Sequence, residues 1–233
     1  MTTPAWFPDE LDLAGSEHLD ADYVAGYDRK AGTDPADDLA HLLGLGLNKQ
    51  HTLVDLGTGT GALPLAAAPH CRRVVAVDVS VPMLDVVRQC AAEAGIGNIE
   101  CVQAGFLSYE HVGEPPDFVY SRHALHHLSD FWKVMAFQRI ADMLRPGGVF
   151  HFRDLFFAVE PGEVTAVIER WLGNAAATPG AGWTREELET HLREEYSTFT
   201  WLIEPMLERA GFEIRVRHGL DSKIYAAYTC VRR

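Results

Sequence analysis

The chain has 233 residues, with 20 basic and 33 acidic side chains and a formal net charge of −13. Hydrophobic residues (47%) and charged residues (23%) stand in an ordinary globular balance, which excludes collagen, coiled coil and wholesale disorder. The excess of acid opposes nucleic acid, whose affinity comes mainly from neutralised phosphates, and no apolar run approaches the ~18 residues of a membrane span. The first ten residues lack the basic and apolar segments of a secretory signal, so a cytoplasmic location is expected. Cys71, Cys90, Cys101 and Cys230 show no Cys-x-x-Cys spacing, which speaks against a disulfide scaffold and a zinc ribbon.

Residues 1–50 read as an N-terminal helical lid. Ten acids between Asp9 and Asp38 face only Arg29 and Lys30 there, and Tyr23, Tyr27 and Arg29 stand out as side chains able to reach a ligand. From residue 51 short apolar runs alternate with helical periods. Thr52 to Leu56 is a strand, Gly57-Thr-Gly-Thr-Gly61 a turn, and Ala62 opens a helix. Val74 to Asp78 is a second strand, followed by a helix capped by Ser80, with Pro82 in its first turn and Gly95 at its end. Strands at Ile99 to Val102 and Phe118 to Ser121 precede a helix over Asp130 to Leu144, and Val149 to Phe152 is a fifth strand. Residues 155–200 read as a helical insertion. A helix over Thr200 to Ala210 then leads to a terminal hairpin, Phe212 to His218 and Ile224 to Val231. Strands alternating with helices imply βαβ units and a parallel sheet.

A glycine turn between strand and helix lets a ligand approach the backbone closely. Gly57, Gly59 and Ala62 also satisfy the dinucleotide pattern, so NAD is a serious rival. Asp55 tips the balance. A carboxylate two positions before the first glycine repels a pyrophosphate and suits a cationic ligand such as a sulfonium. Asp78, at the end of the second strand, is placed to accept both hydroxyls of an adenosine ribose.

These features, together with Asp117-Phe-Val-Tyr-Ser-Arg-His-Ala-Leu-His-His-Leu128 and Leu144-Arg-Pro-Gly-Gly148, resemble the class I S-adenosylmethionine-dependent methyltransferases. The resemblance covers roughly residues 20–155 and the terminal hairpin. It implies an α/β Rossmann-like fold over residues 51–233. Its seven-stranded, mostly parallel sheet would have an antiparallel last strand and helices on both faces, with the insertion at 155–200 as a cap. It places S-adenosylmethionine against Tyr27, Asp55, Gly57, Thr58, Gly59, Gly61, Asp78, Val79, Met83 and Ser121. Many members carry an acid for the adenine amino group where this chain has Gly105, so the backbone around Gly105 and Phe106 is expected to hold the adenine instead.

Methyl transfer needs a base only when the acceptor must lose a proton. His123, nearest the end of the fourth strand, is the candidate base, with His126 and Arg153 as further candidate catalytic residues. A Leu-His-His-Leu run occurs in this family without being catalytic, so His126 and His127 also fit a structural role. On a helix, His123 and His127 would share a face but lack an evident third ligand, so no metal is expected. Trp171, Trp183, Tyr196, Phe199 and Trp201 fit either an ordinary core or an apolar acceptor pocket. The fourth strand ends without the Asn/Asp-Pro-Pro-Tyr of amine methyltransferases acting on DNA bases or glutamine. A small-molecule acceptor and a monomer or homodimer are therefore expected. S-adenosylmethionine chemistry other than methyl transfer, such as cyclisation or cleavage, stays open, as does an NAD-dependent oxidoreductase.

Overall fold

The computed structural model describes residues 4–15, 24, 26–27, 30 and 34–233. Tyr23 and Arg29 lie outside the described residues. Two helices of the N-terminal part are described in full, α1 (Glu10–Leu13) and α2 (Ala36–Gly44). The sheet then builds through β1 (Thr52–Leu56), α3 (Ala62–Ala67), β2 (Arg73–Asp78), α4 (Val81–Glu93), β3 (Ile99–Gln103), β4 (Phe118–Arg122), α5 (Asp130–Met143) and β5 (Val149–Phe157). The insertion supplies α6 (Val164–Leu172), α7 (Arg185–Glu194) and the two-residue β6 (Thr198–Phe199). α8 (Thr200–Arg209), β7 (Phe212–His218) and β8 (Tyr225–Arg232) close the fold.

The strand order is β3-β2-β1-β4-β5-β8-β7, with β6 pairing β5 off this path. β1 to β5 run parallel, and β8 lies antiparallel between β5 and β7. The expected hairpin is present, with an irregularity between Ile214 and Val216. Central strands are covered on both faces, which is why they read as continuous apolar runs. Leu53 joins α2 and α3 on one side through Leu42 and Leu63, whereas Val54 joins α5 and α8 on the other through Phe137 and Leu207.

Two expectations need correction. β5 does not stop at Phe152 but continues to Phe157, carrying Arg153 and Asp154 within the strand. The segment after β4 is not a helix that would align His123 with His127. His123 has φ +52, and only Leu125–His127 form a short 3-10 turn. The insertion is anchored to this turn. Tyr196 N donates to the His126 carbonyl at 2.8 Å. The fully buried Lys133 donates to the carbonyls of Leu128 (2.6 Å) and Tyr196 (2.5 Å) and to Asp130 (3.3 Å). A buried ammonium persists only with such partners, so Lys133 fixes the return of the insertion against the sheet.

Candidate active site

Strand order reverses between β1 and β4, because β1 pairs with β2 on one side and β4 on the other. Crevices beyond the carboxyl ends of such strands are where open α/β sheets bind ligands. A cavity of about 680 Å³ opens at this point, bordered by the N-terminal segment, the glycine turn, the ends of β2 and β5, and the insertion.

Tyr27, Asp55, Gly57, Thr58, Gly59, Asp78, Val79, Met83, Gly105 and Phe106 all border the cavity. Gly57 has φ +72, and a Cβ there would stand 2.4 Å from Ala124 Cβ, so only glycine lets the turn close on the segment after β4. Gly59 has φ +54 and open space where a side chain would be, on the ligand side of the turn. Gly61 does not border the cavity. It packs on α4, where a Cβ would meet Val87 at 2.7 Å. Ser121 is also set back from the cavity, buried at the end of β4.

Three buried polar atoms near the switch point lack a hydrogen-bond partner among the described residues: Asp55 Oδ1, Ser121 Oγ and His123 Nδ1. Asp55 Oδ2 accepts from the Thr58 hydroxyl at 2.7 Å. Burial pushes Asp55 up to about 7; the Thr58 bond offsets part of this, and Asp78 and Asp38 add to it. Asp78 accepts from Gly59 N (2.8 Å) and Ser80 N (2.9 Å), so it holds the glycine turn, while Ser80 Oγ caps α4 through Met83 N (3.2 Å).

The end of the cavity beside Gly105 carries a residue that sequence reasoning missed. Glu10, from α1, accepts at Oε1 from Leu107 N (2.9 Å) and at Oε2 from Ser108 N (2.9 Å) and Ser108 Oγ (2.6 Å). A Cβ on Gly105 would fall 2.3 Å from Glu10 Oε1. The Glu10 carboxylate therefore stands where a side chain at position 105 would project. The backbone amides at 107 and 108 are committed to it, and Gly105 N donates to Ser108 Oγ at 2.9 Å. The Gly105 amide expected beside the adenine is thus bonded to Ser108, while Phe106 borders the cavity. The only signal for Glu10 in the sequence was the missing acid at 105.

At the other end of the cavity, β5 contributes Arg153, whose guanidinium has no carboxylate partner among the described residues. His123 stacks edge-on against Tyr225, with ring centroids 5.6 Å apart, and burial lowers it to about 4, so it is neutral at physiological pH. His126 differs. Its Nδ1 lies 2.6 Å from Asp154 Oδ1 and its Nε2 2.9 Å from Glu195 Oε2. Burial works against its charge, but the two carboxylates outweigh it and raise His126 to about 10. Asp154 and Glu195 are correspondingly held well below the usual carboxylate range despite burial. His126 is thus a charged cross-link between β5 and the insertion and is no base at neutral pH, which corrects that part of its expected catalytic role. The aromatic residues divide: Trp171 and Trp183 border the cavity, whereas Tyr196 and Trp201 are about half exposed and do not. Lys30 sits 4.4 Å over the Trp183 ring and 2.6 Å from Glu187, joining the N-terminal segment to the insertion.

A glycine turn at the switch point of a parallel sheet, backed by an acid at the end of β2, defines a Rossmann-like cofactor-binding protein. Residues 53–148 match a methyltransferase domain. The chain is 30% identical over 145 residues to an uncharacterized methyltransferase, GK2543, of Geobacillus kaustophilus, covering 62% of this chain and 60% of the relative. It is 30% identical over 112 residues to the uncharacterized methyltransferase YcgJ of Bacillus subtilis, covering 48% of this chain and 44% of YcgJ. The chain thus spans less than two thirds of either relative. Magnesium protoporphyrin IX methyltransferase of Synechocystis, solved with bound S-adenosylmethionine, superposes with a TM-score of 0.66 at 15% identity, covering 99% and 100% of the two chains, a likeness of fold. Over these residues the chain is similar to methyltransferases, and its fold is shared with solved S-adenosylmethionine-dependent methyltransferases.

Proposed function

We propose that this protein transfers the methyl group of S-adenosylmethionine to a small-molecule acceptor. The observation that carries the reading is the set of unpartnered buried polar atoms at the switch point, Asp55 Oδ1 above all, beside a glycine turn that leaves open space at Gly59. An anionic, desolvated carboxylate there is suited to a ligand bearing a sulfonium and an ammonium group. Asp78 would take the ribose hydroxyls, with Val79 and Met83 beside the adenine. Glu10 would accept from the adenine amino group, because among the described residues Oε1 accepts one bond, from Leu107 N. Tyr27 and Thr58 would complete the cofactor end. Residues 1–50 would act as the lid, since Glu10, Tyr27 and Lys30 all border the cavity.

The acceptor would occupy the end formed by Trp171, Trp183, Tyr225, His123 and Arg153. Apolar walls with a few convergent polar groups are the usual form of a small-molecule site. Displacement at a sulfonium is in line, so positioning by these walls supplies much of the rate. His123 would accept the acceptor's proton and Arg153 would hold an anionic group of the acceptor. The reading implies a cytoplasmic monomer or homodimer with no nucleic-acid partner; no helix among the described residues is long and apolar enough to cross a membrane.

The test is product analysis with methyl-labelled cofactor and a fractionated pool of small metabolites. The expected result is S-adenosylhomocysteine together with label in a low-mass product. Consumption of the cofactor without S-adenosylhomocysteine would overturn methyl transfer in favour of cleavage or cyclisation.

A further inference from the structure

The insertion brings a carboxylate and an imidazole against the histidine pair that follows β4. Glu195 Oε2 lies 2.9 Å from His126 Nε2, 2.9 Å from His191 Nδ1 and 3.9 Å from His127 Nδ1. One ligand atom each from His126, His127 and Glu195 falls within 4.8 Å of the other two. Zinc bonds to nitrogen and carboxylate oxygen of about 2.0–2.2 Å set neighbouring ligands about 3.0–3.5 Å apart. The observed spacings bracket that range, so small side-chain shifts would bring these atoms around one ion.

The far sides of the two outer imidazoles are fixed by the protein. His126 Nδ1 meets Asp154, whose oxygens also accept from Leu125 N (2.8 Å), His126 N (3.2 Å) and Leu155 N (2.7 Å). His191 Nε2 lies 2.8 Å from Ser197 Oγ. A carboxylate or hydroxyl behind an imidazole sets its tautomer and aims the other nitrogen, which is the usual support of a metal-ligating histidine. Residue 196 is clamped by Lys133 and the His126 carbonyl, so Glu195 is delivered on a fixed backbone. All four near side chains border the cavity at its acceptor end.

We propose that His126, His127 and Glu195, with His191 as an adjoining ligand, form a site for a divalent first-row transition ion of the zinc class. Imidazole and carboxylate together suit such an ion and disfavour magnesium, which takes oxygen ligands. The ion takes the place of the proton that His126 otherwise shares with Glu195. At the acceptor end it would polarise an acceptor oxygen or nitrogen and ease loss of its proton. That role rests on the methyl-transfer reading; the site itself does not.

The test uses the full chain without a tag, stripped by a chelator and dialysed against Zn²⁺, Mn²⁺ or Mg²⁺, with bound metal counted per chain and affinity measured by calorimetry. One Zn²⁺ or Mn²⁺ per chain and no Mg²⁺ is the expected result. His127→Ala and the near-isosteric Glu195→Gln are each expected to weaken binding about tenfold or more. Binding of S-adenosylhomocysteine by the same variants reports that they are folded. Absence of stoichiometric Zn²⁺ and Mn²⁺, or equal binding by wild type and both folded variants, overturns the site. If the metal binds as expected while S-adenosylhomocysteine does not bind the wild type, the site stands and the methyl-transfer reading falls.

Discussion

Asp55 has one oxygen on Thr58 and the other unpartnered, so its charge is the local quantity a cofactor would sense. Its folded pKa of about 7 lies above the unfolded value of 3.8. The free protein therefore binds this proton more tightly than the unfolded chain and loses stability as pH rises from about 4 to about 7, by up to about 1.4 kcal/mol per unit. Thr58, Asp78 and Asp38 are the groups that act on it besides burial. A cationic ligand needs the anion. Calorimetric affinity for S-adenosylmethionine is expected to strengthen about tenfold between pH 6 and pH 8 relative to Asp55→Asn, which should show no such gain. Parallel profiles for the two proteins would remove Asp55 from the cofactor site. Glu10 is tested by chemistry at the other end. An adenine amino group donates to its carboxylate, whereas the carbonyl of an inosine analogue repels it. The wild type should prefer S-adenosylhomocysteine over S-inosylhomocysteine by about tenfold or more, as expected for a hydrogen bond to a charged group. Glu10→Gln should erase that preference. An unchanged preference would put the adenine elsewhere.

Elements differ in how far they could be read, and the reasons are physical. β1 and β2 were legible because burial on both faces leaves unbroken runs, Leu53-Val54 and Val74 to Val77. The end of β5 was not, because Arg153 and Asp154 interrupt the apolar pattern. Asp154 is tolerated inside the strand through the His126 ring and the amides of Leu125, His126 and Leu155, most of them contributed by another element. The glycine turn and Asp78 were legible as a local motif. Glu10 and Glu195 were not, since each acts on a residue far away in sequence that no local period connects. The seam between α2 and β5 carries a further such pairing. His151 lies 4.5 Å ring to ring from His41 and 4.0 Å from Asp38, and its Nδ1 is 3.0 Å from Thr229 Oγ1. Burial lowers His151 to about 4; His41 and His218 push it the same way, and Asp38 opposes them. Its folded pKa is below the ordinary imidazole value of 6.5, so the unfolded chain takes the proton first on acidification. Stability is then lost as pH falls from about 6.5 to about 4, by up to about 1.4 kcal/mol per unit from this residue. A substitution that fills the same space without titrating, His151→Asn or His151→Gln, should flatten chemical-denaturation stability over that window. An equally steep acid loss in both variants would assign it to other groups.

At the scale of the whole molecule, the cavity is the place where three stretches of chain meet. Glu10, Tyr27 and Lys30 come from the N-terminal segment, the glycine turn and Asp78 from the sheet, and Trp171, Trp183 and Glu187 from the insertion. Among the described residues, the Lys30–Glu187 pair at 2.6 Å links the first and last of these. A ligand that touches all three stretches adds its binding free energy to the folded state and none to the unfolded one. At 100 times its dissociation constant that is about 2.7 kcal/mol. For a chain of this size the shift in Tm is roughly 5–10 °C. S-adenosylmethionine and S-adenosylhomocysteine are each expected to produce such a shift, and Asp78→Ala should reduce it while leaving the unliganded Tm within a few degrees. NAD is expected to give none, because Asp55 would face its pyrophosphate. A shift with NAD and not with the sulfur ligands would overturn the charge argument at Asp55 and, with it, the cofactor assigned to this cavity.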